Sequence, residues 1–137
     1  MKILIDTNIL LDFLTKREPY YSDAEKILSM CIENKIYGCI AAHSVMNIFY
    51  ILRTAYTLEQ RRKLLLHLCD ILEVIEIDKT KIINSLHNAN FADVEDCLQT
   101  ECAINYQADY IVTRNIRDFK KSSIPAILPE DFIKLVK

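Results

Sequence analysis

The sequence predicts an α/β protein in which helices cover both faces of a parallel β-sheet. Short apolar runs typical of buried strands alternate along the chain with longer segments that carry apolar residues at helical spacing. This alternation is typical of βαβ units, and therefore of a parallel sheet. The length of 137 residues and the lack of repeats or of a linker rich in Gly, Ser or Pro predict one domain over residues 1–137.

The chain opens with an apolar strand at residues 2–5, which ends at Asp6. A helix is predicted over residues 22–34, because its Ser-Asp-Ala-Glu start has the form of a capping box and apolar residues follow at helical spacing. We expect Gly38 to mark the turn beyond this helix. A second strand is predicted over residues 37–42.

Three helices and a strand are predicted in the middle of the chain. Ser44 and Thr57 are each expected to cap a helix, because apolar residues recur at helical spacing after both. A strand is predicted over residues 73–77, and a further helix after Asp78.

The last third of the chain predicts a helix, a strand and a final helix. Asp93 is expected to cap a helix that leads into an apolar strand at residues 110–113, and Pro129 is expected to open the terminal helix. In such a sheet, ligands bind at the carboxyl ends of the strands.

Composition excludes several classes of protein. The only glycine is Gly38, so the chain has no dinucleotide-binding fingerprint, no phosphate-binding P-loop and no nucleophile elbow. The net charge of −2 gives no global basic field. The five cysteines lie in apolar stretches without a C-x-x-C pair and predict buried free thiols in a reducing cytoplasm. We expect neither a signal peptide nor a membrane span.

Polar residues gather where ligands are expected. Asp6 ends the first strand, Asp96 lies at the start of the helix that leads into the last strand, and Asn115 and Asp118 follow that strand. Carboxylates about 4 Å apart repel by roughly 1 to 4 kcal/mol, so a group of them favours a divalent cation. Oxygen ligands suit Mg²⁺ or Mn²⁺ better than zinc. Each residue alone also fits a structural role as a helix cap or turn residue.

Three motifs together resemble the PIN domain family: Ile5-Asp6-Thr7-Asn8, the run 93–99 (Asp-Val-Glu-Asp-Cys-Leu-Gln) and the run 111–119 (Ile-Val-Thr-Arg-Asn-Ile-Arg-Asp-Phe). The chain is most similar to small bacterial PIN proteins related to VapC-type toxins, and the resemblance covers nearly its full length. It implies a three-layer α/β/α sandwich with a central parallel sheet of about four to five strands.

The resemblance also implies a function and a set of site residues. The function is metal-dependent cleavage of single-stranded RNA, with Mg²⁺ or Mn²⁺ as cofactor, in a toxin that pairs with an antitoxin protein and often forms a homodimer. Asp6, Asp96 and Asp118 would bind the metal. Asn115 is an alternative to Asp118 as the last site residue, and Asp93 is an auxiliary acid or a cap. Asn47 stands where most PIN domains have a glutamate, which removes one negative charge.

Four polar residues are predicted to contact the substrate: Asn8, Thr113, Arg114 and Arg117. For the two arginines, phosphate binding competes with a place in a solvated turn. The tyrosines favour packing over base stacking.

Two other functions compete with the nuclease. The neutral Asn47 and the modest basic charge suggest a PIN-like module that binds RNA or protein without cleaving. An acid after the first strand also fits a haloacid-dehalogenase-like phosphatase, but Asn8 lacks the carboxyl group that a general acid would need.

Overall fold

The computed structural model describes residues 1–137 and contains one parallel sheet between two layers of helices. The sheet has five strands in the order β3-β2-β1-β4-β5. They are β1 (Lys2–Ile5), β2 (Tyr37–Ala41), β3 (Glu73–Ile75), β4 (Tyr110–Val112) and β5 (Ala126–Ile127). The predicted α/β/α sandwich is confirmed. Of the five strands, only β5 is not predicted, because two residues are too few to give a periodic pattern.

Seven α-helices connect and cover these strands. They are α1 (Thr7–Leu14), α2 (Tyr21–Ile32), α3 (Ala42–Ile51), α4 (Leu58–Ile71), α5 (Lys79–His87), α6 (Val94–Tyr106) and α7 (Pro129–Val136). Short 3-10 helices follow α3 and β4 at Leu52–Thr54 and Ile116–Phe119. None of the helices combines the length and the apolar composition that a membrane-spanning segment needs.

The alternation of side chains along β1 divides the core into two parts. Ile3 and Ile5 point to one face and pack with buried residues of α1, α2, α3, α4 and α7. Leu4 points to the other face and packs with Cys102 and Ala103 of α6, which in turn packs against α5. The strand is buried on both faces, as its uninterrupted apolar sequence predicts.

Several predicted helix starts are confirmed by their capping hydrogen bonds. Thr57 forms a capping box with Gln60, and the Asp78 carboxylate accepts a hydrogen bond from the backbone of Lys81. Asp93 accepts from the backbone N–H of Glu95 at 2.8 Å. Pro129 is the first residue of α7.

Two predicted serine caps are wrong. The helix α2 begins at Tyr21, so Ser22 lies inside its first turn, and no side chain caps it. The helix α3 begins at Ala42, and Ser44 is fully buried, where its hydroxyl accepts a hydrogen bond from Thr7 Oγ1 at 3.0 Å. Because this hydroxyl is hydrogen-bonded to Thr7 of α1, it does not cap α3 as expected.

Gly38 and one cysteine also differ from expectation. Gly38 lies within β2 rather than in a turn, and a Cβ atom there would lie 2.8 Å from Leu72 Cδ2 and 3.0 Å from Cys31 Sγ. The glycine is therefore needed for close packing of α2 and α4 over the sheet. Four of the cysteines are buried free thiols, but Cys69 is exposed.

The order of the strands creates a crevice at the carboxyl end of β1. After β1 the chain builds β2 and β3 on one side, and later β4 and β5 on the other. Ligands bind in open α/β sheets at such a switch point. Ile5 pairs with Val112, so Asp6 and Thr113 follow adjacent strands at the same level of the sheet.

Candidate active site

An open cleft of about 500 Å³ lies at the carboxyl ends of β1 and β4, walled by α1, α3 and α6. No lysine or arginine lines it, but five acidic residues do: Asp6, Asp93, Glu95, Asp96 and Asp118. We call it the acidic cleft. Asn8, Asn47 and Asn115 line it too. The structure therefore gathers the predicted acids and amides in one place, and both Asn115 and Asp118 are among them.

Asp6 is the most firmly held acid of the cleft. It is only 5% exposed, and both of its carboxylate oxygens accept hydrogen bonds. Gln99 Nε2 donates to Oδ1 at 3.0 Å, and Thr113 Oγ1 donates to Oδ2 at 2.7 Å. Asp6 precedes α1, yet its side chain does not cap that helix. The hydrogen bonds instead fix the carboxylate between β4 and α6, which counts against a purely capping role.

Gln99 carries an unsatisfied atom beside Asp6. The side chain is 2% exposed and lines the acidic cleft, and its Oε1 has no hydrogen-bond partner. Buried polar atoms are nearly always paired, so an orphaned acceptor calls for a donor or a cation. The sequence motif contained Gln99, but its role depends on a tertiary contact with Asp6 that the pattern does not show.

The pKa of Asp96 is shifted by burial and by the excess of negative charge in the cleft. Its pKa is raised from 3.8 to about 7, first by burial and then by the nearby carboxylates of Asp93, Asp6, Asp118 and Glu95. The cleft brings no cationic side chain to balance them. A cation bound among these groups would relieve their mutual repulsion.

Glu95 is an acid of the cleft that the sequence analysis did not assign. Its Oε1 accepts a hydrogen bond from Asn47 Nδ2 at 2.9 Å and lies 3.6 Å from His43 Nε2. Burial lowers the pKa of His43, and Glu95 opposes that shift. The only signal in the sequence is the position of Glu95 in the first turn of α6, between two assigned acids.

Three predicted substrate contacts lie outside the cleft. Thr113 is fully buried, so it presents no surface to a substrate and instead holds Asp6. Arg114 forms a two-pronged ion pair with Asp12 at 2.8 and 3.2 Å, in a separate pocket. Arg117 lines a third depression with Lys120. Of the four predicted contacts, only Asn8 lines the acidic cleft.

A model of one protein family, described as PIN domain, matches residues 2–117. The chain belongs to the PIN domain family. A search of curated proteins gave no match. In this PIN domain the neutral Asn47 of α3 donates a hydrogen bond to the carboxylate of Glu95 in α6.

Solved structures with the same fold include three from bacteria. VapBC2 from Rickettsia felis bound to a DNA fragment from their promoter has a TM-score of 0.66 at 20% identity, with 93% of this chain and 98% of that chain covered. A toxin-antitoxin complex from Klebsiella pneumoniae has a TM-score of 0.68 at 21% identity, with 93% of this chain and 97% of that chain covered. VapBC-1 from nontypeable Haemophilus influenzae has a TM-score of 0.70 at 16% identity, with 95% of this chain and 99% of that chain covered. These likenesses extend over nearly the whole chain and show a shared fold.

The donor set of the acidic cleft fits the divalent cations that PIN domains generally use. Carboxylates and amides line it, with no histidine or cysteine. No three His, Cys, Asp or Glu side chains in the structure converge into a preformed metal site. This arrangement fits a divalent cation that keeps several of its waters and binds through one or two carboxylates. The orphaned Gln99 Oε1 is a further oxygen without a partner in the cleft.

We expect the Asp96 carboxylate to make stability depend on pH. Because its folded-state pKa is above the ordinary value, the ionised form penalises the folded chain, and the penalty grows as pH rises from 3.8 to about 7. Asp96→Asn removes this penalty. Its free energy of unfolding, minus that of the wild type, should therefore increase across this pH range and level off above it.

Urea unfolding at a series of pH values, in buffer with EDTA, measures this difference. The matched control is Asp70→Asn, which removes an exposed carboxylate of α4 outside the cleft. Its difference from the wild type should stay nearly constant over the same pH range. A flat profile for Asp96→Asn would contradict the raised pKa.

Proposed function

We propose that this PIN domain is a metal-dependent endoribonuclease that hydrolyses phosphodiester bonds of single-stranded RNA, with Mg²⁺ or Mn²⁺ as cofactor. The observation that carries the proposal is the acidic cleft at the strand switch point, with a buried Asp6 held by two hydrogen bonds. Fixed carboxylates that face an open cleft without basic neighbours are suited to a cation and an incoming phosphate.

In this proposal Asp6 and Asp96 hold the cation, and Asp118 or Asn115 completes the site. A bound Mg²⁺ or Mn²⁺ supplies a Lewis acid for the phosphate and lowers the pKa of an attacking water. Gln99 and Thr113 keep the Asp6 carboxylate in one orientation, so no reorganisation is required when substrate binds. Asp93 acts on the site through its charge and caps α6.

An exposed aromatic ring supports single-stranded RNA as the substrate. Tyr50 lines the acidic cleft with 61% of its surface exposed, and the Arg53 guanidinium lies 3.7 Å from its ring centroid. Unpaired bases stack on such rings, whereas paired bases in a duplex do not. Arg53 adds positive charge for the phosphate backbone beside a cleft that has no basic lining residue.

We further propose that the chain is the toxin of a toxin–antitoxin pair, with an antitoxin protein and a second copy of itself as partners. The Klebsiella pneumoniae structure with this fold is described as a toxin-antitoxin complex. Large apolar side chains are also exposed on α3 and α4, among them Met46 and Leu66. Exposed apolar groups of this kind favour contact with another protein.

Removing the metal should stop the reaction. Purified protein, incubated with a mixed-sequence single-stranded RNA, should cut the RNA internally with Mn²⁺ or Mg²⁺ and should not cut it in excess EDTA. Adding Mn²⁺ back to the EDTA sample should restore cleavage. The same sequence annealed to its complement should be cut much more slowly.

Cleavage that persists in EDTA would contradict a metal-dependent enzyme. RNA binding without cleavage under any metal condition would instead support the catalytically inactive PIN-like module. Gel-shift measurements on the same samples separate loss of cleavage from loss of binding.

A further inference from the structure

The acidic cleft contains a carboxylate, Glu95, that the PIN-type motifs in the sequence leave without a role. Glu95 lies in the first turn of α6, and its side chain is partly exposed. Asn47 of α3 donates a hydrogen bond to its Oε1 at 2.9 Å. The two residues are 48 positions apart in the chain, so this contact is made by the fold and not by local sequence.

We propose that Glu95 is a further cation-binding residue of the acidic cleft, and that Asn47 is the positioning residue that holds its carboxylate toward the cleft. The proposal rests on the metal-dependent function proposed above. It assigns to α6 the negative charge that α3, with the neutral Asn47, does not provide.

The geometry of the hydrogen bond leaves Glu95 able to bind a cation. A carboxylate has about four lone-pair sites on its two oxygens, and the contact with Asn47 uses one of them. Glu95 Oε2 has no hydrogen-bond partner in the structure. Because an amide N–H donor neutralises no charge, the Asn47 contact orients the carboxylate while its full negative charge remains.

A second, independent observation points to a ligand in the same cleft. Gln99 lies four residues after Glu95, so both side chains emerge from the same face of α6. The Gln99 side chain is almost fully buried and lines the cleft, and its Oε1 has no partner. The unsatisfied carbonyl oxygen of Gln99 and the free carboxylate oxygen of Glu95, on residues one helical turn apart, are both oxygen donors of the kind that hard cations prefer.

A purely structural role for Glu95 makes a different prediction. Glu95→Gln keeps the acceptor oxygen for Asn47 Nδ2 and almost the same shape, but it loses the charge. If Glu95 only joins α3 to α6, this variant should bind cations as the wild type does. If Glu95 binds the cation, the loss of its charge should weaken binding.

The experiment is titration of the full-length protein with Mn²⁺ by isothermal calorimetry. We expect Glu95→Gln to weaken Mn²⁺ binding by roughly 10- to 100-fold, the range seen when groups that support a metal site are removed. Glu101→Gln is the matched control, because it removes the same charge from α6 at a position outside the cleft. It should bind Mn²⁺ as the wild type does.

A charge exchange tests whether the negative charge of this hydrogen-bonded pair binds the cation. The double variant Asn47→Asp with Glu95→Gln reverses the hydrogen bond, because the introduced glutamine amide of α6 would donate to the introduced carboxylate of α3, and it restores the net charge of the cleft. Its Mn²⁺ affinity should return close to that of the wild type. Thermal unfolding of each variant in EDTA checks that the chain is folded before titration. Asn47→Ala removes only the positioning bond, so it should weaken Mn²⁺ binding less than Glu95→Gln does.

The outcomes separate this proposal from the proposed function. Normal Mn²⁺ binding by folded Glu95→Gln, together with loss of binding in Asp6→Asn, would overturn the role of Glu95 and leave the metal-dependent nuclease standing. No Mn²⁺ binding by the wild type would overturn both. Unchanged Mn²⁺ binding by folded Asn47→Ala, while Glu95→Gln binds weakly, would overturn the role assigned to Asn47. Failure of the charge exchange to restore binding would overturn the claim that Glu95 provides the charge that α3 lacks.

Discussion

Asp6→Asn should abolish RNA cleavage while the chain stays folded. Asp6 is the buried acid at the strand switch point, and the proposed cation depends on its charge. Loss of several kcal/mol of transition-state stabilisation corresponds to a fall in kcat/KM of roughly 10³-fold or more. No other carboxylate can take its place, because Asp6 alone is held by both Gln99 and Thr113.

The fold should tolerate this substitution because asparagine fits the same hydrogen bonds. Its Oδ1 can still accept from Gln99 Nε2, and its Nδ2 can donate to Thr113 Oγ1 after the hydroxyl rotates. We expect the free energy of unfolding to change by no more than about 3 kcal/mol. The substitution also removes one of the charges that raise the pKa of Asp96.

Cleavage rates of the wild type, Asp6→Asn and Asp70→Asn, measured with Mn²⁺ on one RNA, test this expectation. Asp70→Asn makes the same chemical change on the exposed surface of α4 and should cut as the wild type does. Circular dichroism establishes that each variant is folded. Unchanged cleavage by folded Asp6→Asn would remove Asp6 from the mechanism and sink the proposed active site.

The sequence predicts the acidic cleft well, because strand ends and helix starts are local features. Asp6 follows an apolar run, and Asp96 follows a helix cap, so both could be placed at the carboxyl edge of a parallel sheet. Asn115 and Asp118 follow the adjacent strand β4 for the same reason. The fold then needs only the order of the strands to bring these residues together.

Contacts between distant elements could not be predicted from the sequence in this way. Thr57 and Ser44 look alike as helix caps, but only Thr57 is exposed enough to act as one, whereas Ser44 is buried against Thr7. Glu95 looks like an ordinary first-turn acid until Asn47 is found beside it. In each case the partner lies tens of residues away, and spacing along the chain carries no information about it.

Arg114 shows the same limit most clearly. Its place beside Asn115, just after β4, suggests contact with a phosphate. The structure instead pairs its guanidinium with Asp12, which is 1% exposed, and stacks it 4.0 Å from the ring centroid of Tyr20. Two parallel hydrogen bonds to a buried carboxylate give the arginine a structural role, since Asp12 would otherwise be a charge without a partner.

Arg114→Met should therefore destabilise the protein by about 3 to 5 kcal/mol, the usual cost of removing one member of a buried ion pair. Methionine fills much of the same space beside Tyr20 but cannot neutralise Asp12. Urea unfolding at neutral pH measures the loss as a lower midpoint. The double variant Asp12→Leu with Arg114→Met should recover much of the stability, because no buried charge is left unpaired.

The same variants decide between the structural and the substrate-binding roles of Arg114. A structural arginine predicts that Arg114→Met, assayed at a temperature where it is folded, keeps the KM of the wild type for RNA, and that the double variant does so too. A phosphate-binding arginine predicts a raised KM in both variants with little change in the unfolding midpoint. Since the guanidinium is bonded to Asp12 and does not line the acidic cleft, we expect the first pattern.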